Sequence, residues 1–202
     1  ASIGTNIASE SSSNQILTEE AESFICYPEL GGRLDSLRIP LQSAGTGESL
    51  HTVEILRQLG NLAHIRNDQT YNNTLLFPFP NRLYEGRYRF NGQPFAFPVN
   101  DDETGNALHG FLFDEALALH TATRCDGGPR RFKSLRLSYE YAGIKDCYPF
   151  EMNLEVRYFF DNERKFCIDI IIENTGEETA PVAAGWHPYF TFGHTVDELE
   201  LD

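Results

Sequence analysis

Leu135-Arg136-Leu137-Ser138-Tyr139-Glu140-Tyr141, followed by Met152-Asn153-Leu154-Glu155-Val156-Arg157-Tyr158, decides the fold. In both stretches apolar residues alternate with polar ones. A strand turns successive side chains to opposite faces, so each stretch predicts a strand with one buried side. Cys167 to Ile172 is a largely β-branched run broken only by Asp169. The polar turn Asp161-Asn162-Glu163-Arg164 separates it from the stretch before, and residues 152–173 therefore read as a β-hairpin.

The same grammar extends outward. Glu22 to Tyr27 reads as a short strand, Gly31-Gly32 as a turn, and Arg33 to Ile39 as a second strand. Arg87 to Phe90 and Gln93 to Phe97 flank Asn91-Gly92, the signature of a type I′ hairpin, whose two central residues must accept positive φ. Nine Tyr and 15 Phe suit large antiparallel sheets. The one helix expectation falls at about Ser49 to His64, where Val53, Leu56, Leu59 and Ala63 are loosely helical in spacing and Gly60 interrupts. Ala44 to Gly47 and Asp126 to Arg131 read as loops. With no βαβ rhythm and no repeat, residues 1–202 read as a single all-β domain, a sandwich or barrel, with residues 1–15 as a flexible or edge segment.

Composition sets limits on partners. Sixteen basic against 30 acidic residues give a net charge of −14, a surface that repels nucleic acid and anionic membranes. No run reaches the ~20 apolar residues of a spanning helix. Ala1 to Gln15 lacks a basic segment followed by an apolar one, so no signal peptide is visible. Cys26, Cys125, Cys147 and Cys167 form no CxxC pair and read as reduced thiols of a cytoplasmic protein. Asn72-Asn73-Thr74 matches a glycosylation sequon, a pattern common by chance.

Familiar catalytic machinery is missing from the sequence. There is no GxSxG elbow, no Walker loop, no GxGxxG after a strand, and no HxH or HExxH pair to hold a catalytic metal. What remains are polar residues set among aromatic ones: Phe77-Pro78-Phe79-Pro80-Asn81-Arg82, Asn106-Ala107-Leu108-His109-Gly110-Phe111, and Gly185-Trp186-His187-Pro188-Tyr189-Phe190. Sugars have apolar CH faces and polar edges, so aromatic faces with a few directed donors suit a sugar site. Singly, each histidine reads as a hydrogen-bonded structural residue and Arg82 as a surface ion-pair partner; only the joint pattern points to a site.

In order along the chain, Asn81-Arg82, Gly86-Arg87-Tyr88, Asn91-Gly92, Asn106-Ala107-Leu108-His109-Gly110, Glu173-Asn174-Thr175-Gly176 and His187-Pro188-Tyr189-Phe190 resemble the aldose 1-epimerases (galactose mutarotases). Glu29 to Leu37 is similar to the start of that family, so the resemblance runs from about residue 23 to the end. It implies a large antiparallel β-sandwich, the galactose mutarotase-like supersandwich, as a copy incomplete at its C-terminus. It implies interconversion of the α and β anomers of a free aldohexose such as galactose or glucose. His187 would be the general acid that protonates the ring oxygen, and His109 would orient the sugar near the anomeric centre. Arg82, with Asn81 and Tyr189, would bind sugar hydroxyls. The implied reaction transfers no electrons and releases no group, so it implies no cofactor and no metal. The family's general base is a Glu nearer the C-terminus, and no residue here matches its motif. Phe111 departs from the usual Gly after His-Gly and is similar instead to the hexose-6-phosphate epimerases. That substrate, with Arg82, Arg87 and Arg89 as its phosphate pocket, is the first alternative; a non-catalytic carbohydrate-binding β-sandwich is the second.

Overall fold

The computed structural model describes residues 22–41, 51–125, 128–191 and 195–198. Its strands in chain order are β1 (Ser23–Tyr27), β2 (Arg33–Leu41), β3 (His51–Glu54), β4 (Thr74–Leu76), β5 (Arg82–Leu83), β6 (Arg87–Phe90), β7 (Gln93–Ala96), β8 (Ala107–Leu108), β9 (Ala118–Arg124), β10 (Arg131–Ala142), β11 (Glu151–Phe160), β12 (Phe166–Asn174) and β13 (Gly185–His187). One short helix, α1 (Leu62–Asn67), and four 3₁₀ turns complete the described residues. The fold is all-β and antiparallel in its main sheet, as the period-two reading requires.

That sheet runs β12-β11-β10-β1-β2-β3, with β9 also on β10. The deciding stretches meet across one ladder, Leu135 opposite Tyr158, Leu137 opposite Val156, Tyr139 opposite Leu154 and Tyr141 opposite Met152. Leu137 and Val156 are fully buried. Burial of such a side chain stabilises by about 1.5–3 kcal/mol. The intervening polar residues face outward, where Glu155 pairs with both Arg136 and Arg157. β11 and β12 form the hairpin read from residues 152–173, in register from Met152–Asn174 to Phe160–Phe166.

Three small two-stranded pieces, β4 with β13, β5 with β8 and β6 with β7, accompany the main sheet. One apolar core joins Leu137, Val156 and Tyr158 of the sheet to Leu75, Phe77, Phe97, Phe111 and Tyr148 of these pieces and their loops. Asn91 and Gly92 have φ of 46° and 79°, so the Asn-Gly hairpin turns as the sequence demands. Phe111 sits in this core, its ring 5.0 Å from that of Tyr141 and 5.8 Å from that of Phe77.

The helix expectation is corrected. Residues 51–54 form a strand on β2, with β-branched Val53 opposite Ile39. The helix begins later, because Gly60 takes φ 83° and Asn61 caps α1 by accepting from the His64 amide at 3.0 Å. Residues 1–15 and the expected loop at 44–47 lie outside the described residues, as does part of the loop at 126–131. No disulfide joins any of the four cysteines. Asn72 is fully buried and donates to the Arg57 carbonyl, so the sequon is not an accessible acceptor. No helix among the described residues is long and apolar enough to cross a membrane.

Candidate active site

The site is assembled by two crossings of short backbone segments. Phe77 bridges Gly110, and the Phe111 amide donates to the Phe77 carbonyl at 2.9 Å. Gly110 is required there: at φ 74°, a Cβ would stand 2.0 Å from the Phe77 oxygen. Four residues on, the His109 amide donates to the Asn81 carbonyl and the Asn81 amide donates to His109 Nδ1, both at 3.0 Å. The other crossing is β13 on β4, which sets His187 opposite Thr74 and so at the head of the segment running to Asn81.

These crossings bring His109 and His187 together with ring centroids 5.1 Å apart, near edge-on. Tyr189 lies 5.5 Å from the His187 ring, and the ring of Tyr71 meets that of His109 at 4.8 Å. Tyr71, Asn73, Asn81 and His109 all have φ between 55° and 65°. For Tyr71 and His109 such backbone costs of order 1–3 kcal/mol and persists only where surrounding contacts enforce it, whereas asparagine adopts it readily. The strain is concentrated around the histidine pair.

The two imidazoles differ in their surroundings. His109 is 7 % exposed. Burial chiefly, with the nearby His187 and Arg82 charges, pulls its pKa down to about 4. It is therefore neutral near pH 7. A backbone amide can only donate, so Nδ1 of His109 must accept, and its single proton sits on Nε2. His187 is half-buried, and its Nδ1 is enclosed with no hydrogen-bond partner among the described residues.

Arg82 is half-exposed at the start of β5 and donates to Asp101 at 3.1 Å. It lines a cleft of about 770 Å³ with Tyr71, Asn100, Asp101, Leu108 and Phe113 among others. That volume is in the range of small-molecule sites. His109 and His187 do not line this cleft; Tyr71, which does, packs on His109. All five residues singled out in the sequence thus lie in one region: Asn81, His109, His187 and Tyr189 in a chain of direct contacts, and Arg82 beside them.

Sequence reasoning missed three residues. Tyr71 receives a hydrogen bond from Asn100 at 3.2 Å, and Asn100 pairs through its amide with both backbone groups of Leu108. Asn73, read only as part of a sequon, is fully buried and contacts the His187 strand at several points. An Asn before an apolar run, where left-handed backbone is common, was the one available signal.

The fold defined by these strands is that of galactose mutarotase-like proteins. A galactose mutarotase-like protein from Clostridium acetobutylicum superposes with a TM-score of 0.63 at 20 % identity, over 84 % of this chain and 48 % of that one. The GalM/aldose epimerase homologue from C. elegans gives 0.66 at 15 % identity, over 86 % and 48 %. Among curated proteins, the uncharacterized protein YihR of Escherichia coli (strain K12) is 32 % identical over 125 residues, covering 61 % of this chain and 38 % of that protein. The chain thus spans half or less of the length of these relatives. The model of the aldose 1-epimerase family matches residues 17–202, and the chain belongs to that family.

Proposed function

We propose that this chain carries the acid and sugar-orienting side of an aldose 1-epimerase site for a free hexose. The observation that carries the reading is the contacting pair His109–His187, in which one imidazole is locked neutral. Anomer exchange opens the hemiacetal: a base takes the anomeric hydroxyl proton while an acid protonates the ring oxygen. The aldehyde then rotates about C1–C2 and closes on its other face.

His109, neutral with its proton on Nε2, is a hydrogen-bond donor and not a proton source near pH 7. It orients an oxygen near the anomeric centre. His187, the other member of the contacting pair, is left as the acid. Arg82, with Asn81 and Tyr189, supplies contacts to hydroxyls. None of the described carboxylates is assigned as the base.

A phosphorylated sugar is less well supported. Arg82 is engaged by Asp101, Arg87 by Glu85, and Arg89 by the Gly92 carbonyl. Phe111, the residue that suggested that branch, is a core packing residue.

The test is polarimetry of freshly dissolved α-D-glucose and α-D-galactose. The chain accelerates the optical change, and His187→Asn lowers kcat by roughly 10²- to 10⁴-fold with little change in KM. Weakened binding with turnover intact would overturn the acid assignment. Sugar binding without acceleration would mean that these residues do not supply the base and would favour a binding module, and competition by inorganic phosphate would favour the phosphorylated substrate.

A further inference from the structure

Asn73 is 0 % exposed and directs its polar groups at the segment around His187. Its amide donates to the His187 carbonyl at 2.9 Å, and its Oδ1 accepts from the Tyr189 amide at 2.9 Å. Its carbonyl accepts from Trp186 Nε1 at 3.2 Å. Its Nδ2 donates to the Arg57 carbonyl at 3.0 Å, and the Arg57 amide in turn donates to the Tyr189 carbonyl at 2.8 Å. Residues 186, 187 and 189 are therefore all bonded to one side chain or its own peptide groups. β13 is only three residues long, so the ladder to β4 cannot by itself fix the backbone beyond His187.

The loop that presents Asn73 is itself braced. Arg33 bonds the Ile65 carbonyl and the Asp68 carboxylate, and Asp68 in turn accepts from the Thr70 and Asn72 amides. The Tyr189 hydroxyl donates to the Thr70 carbonyl at 3.2 Å. A buried ion pair of this kind costs desolvation that only good hydrogen bonding offsets. Here it holds a left-handed loop against the strand that carries His187.

We infer that Asn73 is the positioning residue of His187: it sets where the imidazole stands, although it touches no substrate. The inference rests on the reading of His187 as the acid for its catalytic meaning, but its physical content is independent of that reading. Aspartate is not equivalent to asparagine here. It keeps the acceptor for Tyr189 but sets a carboxylate oxygen against the Arg57 carbonyl, with no donor between. Glycine keeps the φ of 56° at no cost and loses both side-chain bonds.

The experiment is NMR of the chain with ¹³C-labelled histidine, run beside polarimetry, on Asn73→Gly and Asn73→Asp. His64 and His120 lie on other elements and serve as internal references. In Asn73→Gly the His187 ring signal moves while those of His64 and His120 stay, and kcat falls roughly 10- to 100-fold with KM changed less than about threefold. Asn73→Asp, which retains one of the two bonds, lies between. An unmoved His187 signal in either folded variant overturns the inference, whatever the activity. A moved signal in a chain without mutarotation supports the positioning role and counts against the epimerase reading alone. Should one variant fail to fold, the other decides by the same signal.

Discussion

The lowered pKa of His109 can be tested without any substrate. His109 titrates at about 4 in the folded protein, against ~6.5 for an unfolded chain. Between those values the unfolded state binds more protons, so stability rises with pH across that window. The contribution is complete above about pH 6.5 and is lost as pH falls toward 4. Linkage gives a loss of about 2 kcal/mol between pH 7 and pH 5 from this one group, and about 3 kcal/mol by pH 4. The control is His109→Asn. Asparagine adopts the φ of 65° readily, and its Oδ1 takes the place of Nδ1 as acceptor for the Asn81 amide. The variant therefore keeps the loop and removes only the titrating group. Urea unfolding of both proteins at pH 7, 6 and 5 reads the difference directly, because every other group titrates in both. The native chain should lose about 2 kcal/mol more than the variant from pH 7 to pH 5. Equal losses within ~0.5 kcal/mol would refute the argument, and with it the assignment of His109 as a neutral Nε2 donor.

The same geometry yields two more expected outcomes. Gly110→Ala places a methyl against the Phe77 carbonyl and forces a left-handed alanine, a combined cost of about 2–5 kcal/mol; a urea-derived loss under ~1 kcal/mol would show that the Phe77–Gly110 crossing is not tight. Arg82→Ala removes a half-exposed ion pair with Asp101, of little consequence for stability because solvent screens it, and should raise KM for the sugar with kcat nearly kept; an unchanged KM in polarimetry would make Arg82 structural.

Much of the scaffold was legible because it is carried by local pattern. The alternation in 135–141 and 152–158 can bury one face only as paired strands, and the Asn-Gly turn closes one hairpin by backbone conformation alone. β9 was not legible. Its seven residues are all exposed and show no alternation, so only backbone pairing with β10 makes it a strand. The helix was misplaced because Gly60 and the Asn61 cap, local signals, outweigh the loose apolar spacing of residues 53–63, while β2 supplies a neighbour that recruits 51–54 into the sheet.

By itself, then, the sequence determined the strand-rich class and the hairpins, since each depends on residues close in the chain, and it pointed to the short motifs proposed to hold the chemistry. Only the tertiary structure assembles the candidate site. His109 and His187 are 78 positions apart in the chain, and their contact exists because Phe77 bridges Gly110 and Thr74 pairs with His187. The same crossings give one imidazole a backbone donor and burial, and so make two identical side chains chemically different. Asn73 acquired its place in the same way, because hydrogen bonds across more than a hundred residues leave no periodic trace for sequence reading to find.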